Sequence, residues 1–295
     1  GRAQARTYLD DIVKQTDKPI PYFLTNGNKW LLVDQDGIER QVSKPFSQSD
    51  LMRRRELYAN RQDPTKINIE KIVDRPKNFI MVKKILEHIQ EGHRSALIAM
   101  ATGTGKTRVA MAIIDALMKA SIIRNVLFVV DRIALSNLAK EEGFKEYFSE
   151  PVTDLRDDPK SFPNGLYVTT VQTLRYGKKN KYYEKFSSGF FDLIIFDEAH
   201  RSIYDPNKEV HRYFDVIRIG LTATPSGTES KNTFDLFECE GNKATVEYPY
   251  DEAVKDGVLV PYRAEIIDTN VLSLGIEGAK LTKELKTQLI KQELD

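Results

Sequence analysis

Hydrophobic and polar positions change rhythm along the chain, and each change predicts a different element. Near the start, "QARTYLDDIVKQ" brings Ala5, Tyr8, Leu9 and Ile12 near one face of a helix. From about Ile20 to Phe46, apolar or aromatic runs are broken by the turn dipeptides Asn26-Gly27 and Asp36-Gly37, which predicts a meander of short strands. From Ser47 to about Arg75 the texture becomes highly charged, with few large apolar residues. That stretch reads either as a domain boundary or linker, or as an exposed helix and loop inside one domain.

Beyond Arg75 the two periods alternate. "NFIMVKKILEHIQ" is an amphipathic helix, "SALIAM" a buried strand, and "KTRVAMAIIDALMKA" a second helix. The strand "NVLFVVD", a helix around "IALSNLAKEE", and the strands "GLYVTT", "FDLIIFD" and "IRIGLTA" follow. Strands apolar throughout, separated by helices, predict a parallel sheet covered on both faces: an α/β layered domain from about Arg75 to Arg263.

Composition adds exclusions. The 295 residues are 41% hydrophobic and 29% charged, ordinary for a globular protein with a sizeable core. No apolar run is long enough for a membrane span, and the first residues lack an apolar signal core. The one cysteine, Cys239, excludes an intrachain disulfide and a cysteine-rich zinc site, and the expectation is a cytoplasmic protein. The histidine spacing shows no metal-ligand clustering. A net charge of +1 means that any nucleic-acid partner meets a local patch.

"MATGTGKT" lies between a strand and a helix, the context a phosphate-binding loop needs. Gly103 and Gly105 let the backbone turn its N–H groups toward phosphate oxygens, with Thr102 and Thr104 between and beside them. Lys106 can reach the β and γ phosphates of ATP, and the Thr107 hydroxyl can ligate Mg²⁺. Met100 stands where the commonest form of this loop has its first glycine. Asp197 and Glu198 end the strand "LIIF". An acid there can hold Mg²⁺ and its neighbour can polarise the attacking water. A pair of helix-capping acids is the alternative.

"MATGTGKT", "DEAH" and "GLTATP", in this order, resemble motifs I, II and III of superfamily two helicases and translocases. The resemblance implies that Thr222 and Thr224, with His200 across the site, couple the nucleotide to DNA movement. "FVVDRIALSNLA" resembles motif Ia, implying phosphate contacts by Arg132 and Ser136; "TTVQTL" resembles motif Ib, implying the same for Thr170 and Gln172. Each also reads as a strand end followed by a helix cap. Asn78, in "RPKNFI", stands where the superfamily often has an adenine-reading Gln. "LRYGKKNKYYEKF" interleaves lysines with Tyr182, Tyr183 and Phe186, a mix that suits a nucleic-acid backbone and bases or a solvated loop over half-buried tyrosines.

"DEAHRSIYD", "NTFDLFE" and "YPYDEAVKDGVLVPYRAEI" are together similar to the restriction (R) subunit of type I restriction-modification enzymes. The resemblance implies an ATP- and Mg²⁺-dependent motor that pulls double-stranded DNA and triggers its cleavage, with methylation and specificity subunits as partners. Gln4 and Tyr8 then fit the Q-x-x-x-Y helix of a PD-(D/E)xK nuclease. The implied architecture is residues 1–50 as the C-terminal remainder of a nuclease-like α+β domain and 51–74 as linker. Residues 75–264 would be the first RecA-like domain, and 265–295 a connection toward a second. The metal-binding acids of the nuclease would precede residue 1 and the second RecA-like domain would follow Asp295. A repair or type III restriction helicase of the same superfamily is the alternative, and a degenerate half-motor that clasps DNA without turnover is a further one.

Overall fold

The computed structural model describes Thr7, Asp11, Lys14 and residues 21–130, 144–177, 180–199, 205–223 and 228–262. Strands β1 (Tyr22–Thr25), β2 (Trp30–Val33) and β3 (Glu39–Val42) form the expected antiparallel meander. Both predicted turns are built by side-chain acceptors. Asn26 Oδ1 receives the N–H groups of Asn28 and Lys29, and Asp34 Oδ1 those of Asp36 and Ile38. Gly27 and Gly37 supply the positive φ. Helix α1 (Gln48–Ala59) follows, N-capped by Ser47, which accepts from Asp50 N–H.

Helix α2 (Pro76–Gln90) leads into the large sheet. The rest runs β4 (Ser95–Met100), α3 (Lys106–Lys119), β5 (Val126–Val130), β6 (Val152–Asp154), β7 (Leu166–Thr170), α4 (Val171–Arg175) and β8 (Leu193–Phe196). It continues with α5 (Asp205–Tyr213), β9 (Ile217–Thr222), α6 (Thr228–Leu236), β10 (Val246–Tyr248) and α7 (Tyr250–Lys255). Seven strands pair in the order β10-β4-β9-β8-β5-β7-β6, all parallel. This is the RecA-like α/β arrangement expected, with β9 between β4 and β8. The edge strands β6 and β10 are short and partly polar, so they carry no apolar run to betray them in sequence.

Alternation divides each buried strand between two cores, because successive side chains point to opposite faces. Val126, Phe128, Val130, Leu193 and Ile195 join α2 and α3 on one face. Leu127, Val129, Ile194 and Phe196 join an aromatic cluster containing Phe186, Phe191, Phe214 and Phe237 on the other. Residues 1–259 form one compact unit. Among the described residues, no helix is long and apolar enough to cross a membrane.

The meander and α1 are fastened to this unit by charge. Arg53, buried on α1, reaches Asp50 at 2.5 Å, Asp192 at 3.2 Å, and the carbonyls of Gly189 and Phe190. Asp215 receives Arg40 of β3, Arg54 of α1 and Arg94 beside β4, at 3.2, 3.0 and 3.1 Å. Burial alone would raise the Asp215 pKa, yet Arg94, Arg54 and Arg40 hold it well below the usual carboxylate range. Asp192 and Asp215 precede β8 and β9, so this network sits at the amino ends of the strands.

His211 on α5 is 2% exposed and stacks on Phe196 with centroids 4.0 Å apart. Among the described residues neither ring nitrogen has a hydrogen-bond partner. Burial, reinforced by Arg218, pushes its pKa down to about 3. The folded chain therefore refuses a proton that the unfolded chain accepts below about pH 6.5. Stability falls as pH drops from there toward 3. Urea unfolding should show a loss of about 2 kcal/mol between pH 7 and pH 5 that His211→Phe removes. Equal losses in both proteins would show that His211 is not its source.

Candidate nucleotide site

The phosphate loop is held by backbone bonds before any ligand arrives. All six residues of β4 are buried, and the strand's hydrogen bonding extends to Ala101, whose N–H meets Tyr248 O at 3.0 Å. The buried Thr104 then turns the chain: its N–H and hydroxyl both donate to Ala101 O, at 3.2 and 2.6 Å. Gly103 and Gly105 adopt φ of +86° and +102°. A Cβ at Gly103 would lie 3.1 Å from Leu259 Cδ2, and one at Gly105 2.8 Å from Asn78 Nδ2. The left-handed conformation demands glycine at both positions, and space is tightest at Gly105. No side chain caps α3, so its first-turn N–H groups are left for an anion.

Two residues at the start of α2 hold the loop from outside. Arg75 Nη1 donates to Gly103 O at 3.2 Å and Asn78 Nδ2 to Thr104 O at 2.9 Å. Lys77, between them in sequence, pairs with Glu252 and lies 5.6 Å from the Tyr248 ring centroid, joining α2 to β10 and α7. Asn78 is thus buried against the loop. The Arg75 contact was not legible in sequence, where the residue before a helical Pro reads simply as a boundary.

Across β9, β8 delivers the acids. Asp197 N–H continues the ladder to Val129 O at 2.8 Å, fixing where the strand stops. Glu198 adopts φ of +49°, a left-handed conformation costly for a side chain with a Cβ, and its N–H donates to Asp197 Oδ1 at 3.1 Å. Its carboxylate lies 3.6 Å from Lys106 Nζ. The structure therefore brings the loop lysine and the second acid together. Thr222, fully buried, ends β9 beside Ala99 of β4.

The other expected residues are divided. Thr170 caps α4, its hydroxyl receiving Thr173 N–H at 3.2 Å, while Gln172 lines an open cleft with Tyr176, Lys181 and Lys185. Tyr182, Tyr183 and Phe186 are buried in the aromatic core, whereas Tyr176 is 79% exposed. Gln4, Tyr8, Arg132, Ser136, His200 and Thr224 lie outside the described residues. One grouping contradicts the sequence reading that the histidines do not cluster. Gly92, at φ of +98°, folds His93 back onto His88, and with Glu91 their ligand atoms lie within 4.8 Å. The two rings stack in parallel 4.0 Å apart, so their in-plane lone pairs do not converge on one ion.

The uncapped first turn of α3, entered through two left-handed glycines, fits a nucleotide phosphate. Thr107 and Asp197 offer the hard oxygen donors that Mg²⁺ takes.

Comparisons with known proteins converge on one group. Residues 71–227 match the family model described as type III restriction enzyme, res subunit. The chain is 30% identical over 218 residues to the type I restriction enzyme EcoAI endonuclease subunit of Escherichia coli, covering 72% of this chain and 26% of that protein. It is 29% identical over 206 residues to the EcoKI endonuclease subunit of Escherichia coli K12, covering 61% and 17%. A solved fragment described as an HsdR subunit of a type I restriction enzyme from Vibrio vulnificus YJ016 aligns at 24% identity with a TM-score of 0.47, covering 86% of this chain and 46% of that one. The chain spans about a quarter or less of the length of these curated relatives.

Gly105→Ala tests the cradle. It forces a Cβ into the left-handed region, at roughly 1–2 kcal/mol, and against Asn78. Urea unfolding should register that loss, and binding of fluorescent ADP should weaken at least tenfold. Unchanged nucleotide affinity would show that the loop does not need this turn.

Proposed function

Because the chain belongs to the type III restriction enzyme res-subunit family, a helicase-like ATPase domain, we propose that it is the first RecA-like motor domain of a type I restriction endonuclease subunit. The motor couples ATP hydrolysis to translocation of double-stranded DNA, and translocation leads to cleavage. The observation that carries the ATPase reading is the 3.6 Å approach of Lys106 to Glu198 beside a loop that only glycine can build. The type I assignment, against a repair or type III helicase, rests on the curated relatives, both named type I endonuclease subunits.

Division of labour follows from charge. Backbone N–H groups of Gly103, Gly105, Lys106 and Thr107 cradle the β-phosphate, and Lys106 neutralises the developing charge on the γ-phosphate. Thr107 and Asp197 would hold Mg²⁺, which would supply positive charge to screen the phosphates. Glu198, released from Lys106 by the incoming phosphate, orients and polarises water for in-line attack. Thr222, with Thr224 and His200, transmits the nucleotide state toward DNA, and Arg132, Ser136, Thr170 and Gln172 contact its phosphates. Contacts of that kind carry no sequence information, as a motor passing any sequence requires.

In this reading residues 75–264 are the motor domain, 51–74 connect it to the nuclease-like remainder 1–50 with Gln4 and Tyr8 as its Q-x-x-x-Y pair, and 265–295 lead toward a second RecA-like domain. Methylation and specificity subunits would be the partners that choose the DNA site, in the cytoplasm.

In the whole subunit, DNA should stimulate ATP hydrolysis. Lys106→Ala should abolish it, and Glu198→Gln should keep ATP affinity within about threefold while lowering turnover by about 100-fold or more. Steady-state phosphate release with and without DNA reads both. Turnover that survives Glu198→Gln refutes the assignment of the base.

A further inference from the structure

The amide of Asn78 stands where an adenine-reading residue is expected, but its geometry serves something else. Reading adenine needs a donor and an acceptor presented together to the open cleft. Asn78 is 1% exposed, and its Nδ2 already donates to Thr104 O at 2.9 Å. Its Oδ1 is covered and has no hydrogen-bond partner among the described residues. A Cβ at Gly105 would come within 2.8 Å of Nδ2, so the amide lies directly against the left-handed turn. With Arg75 on Gly103 O, consecutive loop carbonyls are fastened from the first turn of α2. Turning the amide toward a base would break the bond to Thr104 and uncover a side chain packed in the core face of α2.

Resting on the nucleotide site proposed above, we propose that Asn78 positions the phosphate loop instead of reading the base, so that the site takes purine nucleoside di- and triphosphates with little preference for adenine. Affinity then comes from the phosphates, and Asn78 contributes by keeping the loop N–H groups aimed before the ligand arrives. It is a positioning residue acting through Thr104 and Gly105.

Equilibrium titration with fluorescently labelled ADP and GDP tests this without turnover. Wild-type affinities should agree within about threefold. Asn78→Ala, and Asn78→Asp, which keeps the shape and removes the donor, should weaken both nucleotides by about three- to tenfold and leave their ratio unchanged. A base-reading role would instead lower ADP affinity alone. A wild-type ADP preference above about tenfold overturns the loss of selectivity, and a preference that Asn78→Ala abolishes overturns the positioning role. Variants that bind both nucleotides like wild type overturn it too. Wild-type protein that binds neither nucleotide removes the proposed site itself, an outcome distinct from a changed ratio. Thermal unfolding checks that each variant folds, and the wild-type ratio tests selectivity even where one does not.

Discussion

Every strand of the large sheet runs the same way, and this constraint decides where chemistry can occur. In a parallel sheet, the loops that follow the strands emerge at one end. The loop after β4 and the acids after β8 are distant in sequence, yet β9 alone separates their strands. Lys106 and Glu198 meet because of that order. Their approach has an energetic counterpart in the backbone. Glu198 occupies a left-handed conformation that costs roughly 1–2 kcal/mol, and it persists because the β8 ladder and the lysine hold it. Strain is thus held where the Glu198 carboxylate approaches Lys106.

The opposite end of the sheet is built for permanence. Asp192 and Asp215 gather arginines from β3, α1 and the entry to β4. Removing one member of such a network leaves a buried charge uncompensated, which costs several kcal/mol. The same chemistry, acid against base, therefore does opposite work at the two ends. At the amino ends it is closed and multiple, and fixes the meander and α1. At the carboxyl ends it is the more open approach of Lys106 to Glu198.

The sheet and the loop were legible in sequence because both depend on local rules. Strands such as "VLFVV" are apolar throughout, and the Gly-Lys-Thr turn lies between a strand and a helix. What was hidden depends on tertiary approach. Nothing near Arg53 or Asp192 in sequence says that they are buried, and three-residue edge strands such as β6 and β10 carry no periodic signal. Tyr176 and Tyr182 lie in one aromatic, lysine-rich stretch, yet one is exposed and the other is core. His88 and His93 look unrelated until Gly92 folds one onto the other. Asn78 shows the same limit: its position suggested the base, and only the bond to Thr104 reveals the loop as its partner.

In the proposed cycle Lys106 exchanges Glu198 for a phosphate, freeing the carboxylate for water. A crystal structure of the chain with Mg²⁺ and ADP or a non-hydrolysable ATP analogue tests it most directly. The expected result is a β-phosphate on the N–H groups of Gly103, Gly105, Lys106 and Thr107, Lys106 Nζ within hydrogen-bond distance of it, and Glu198 no longer paired with the lysine. Nucleotide bound elsewhere, or a loop occupied by phosphate with the Lys106–Glu198 pair intact, would contradict it.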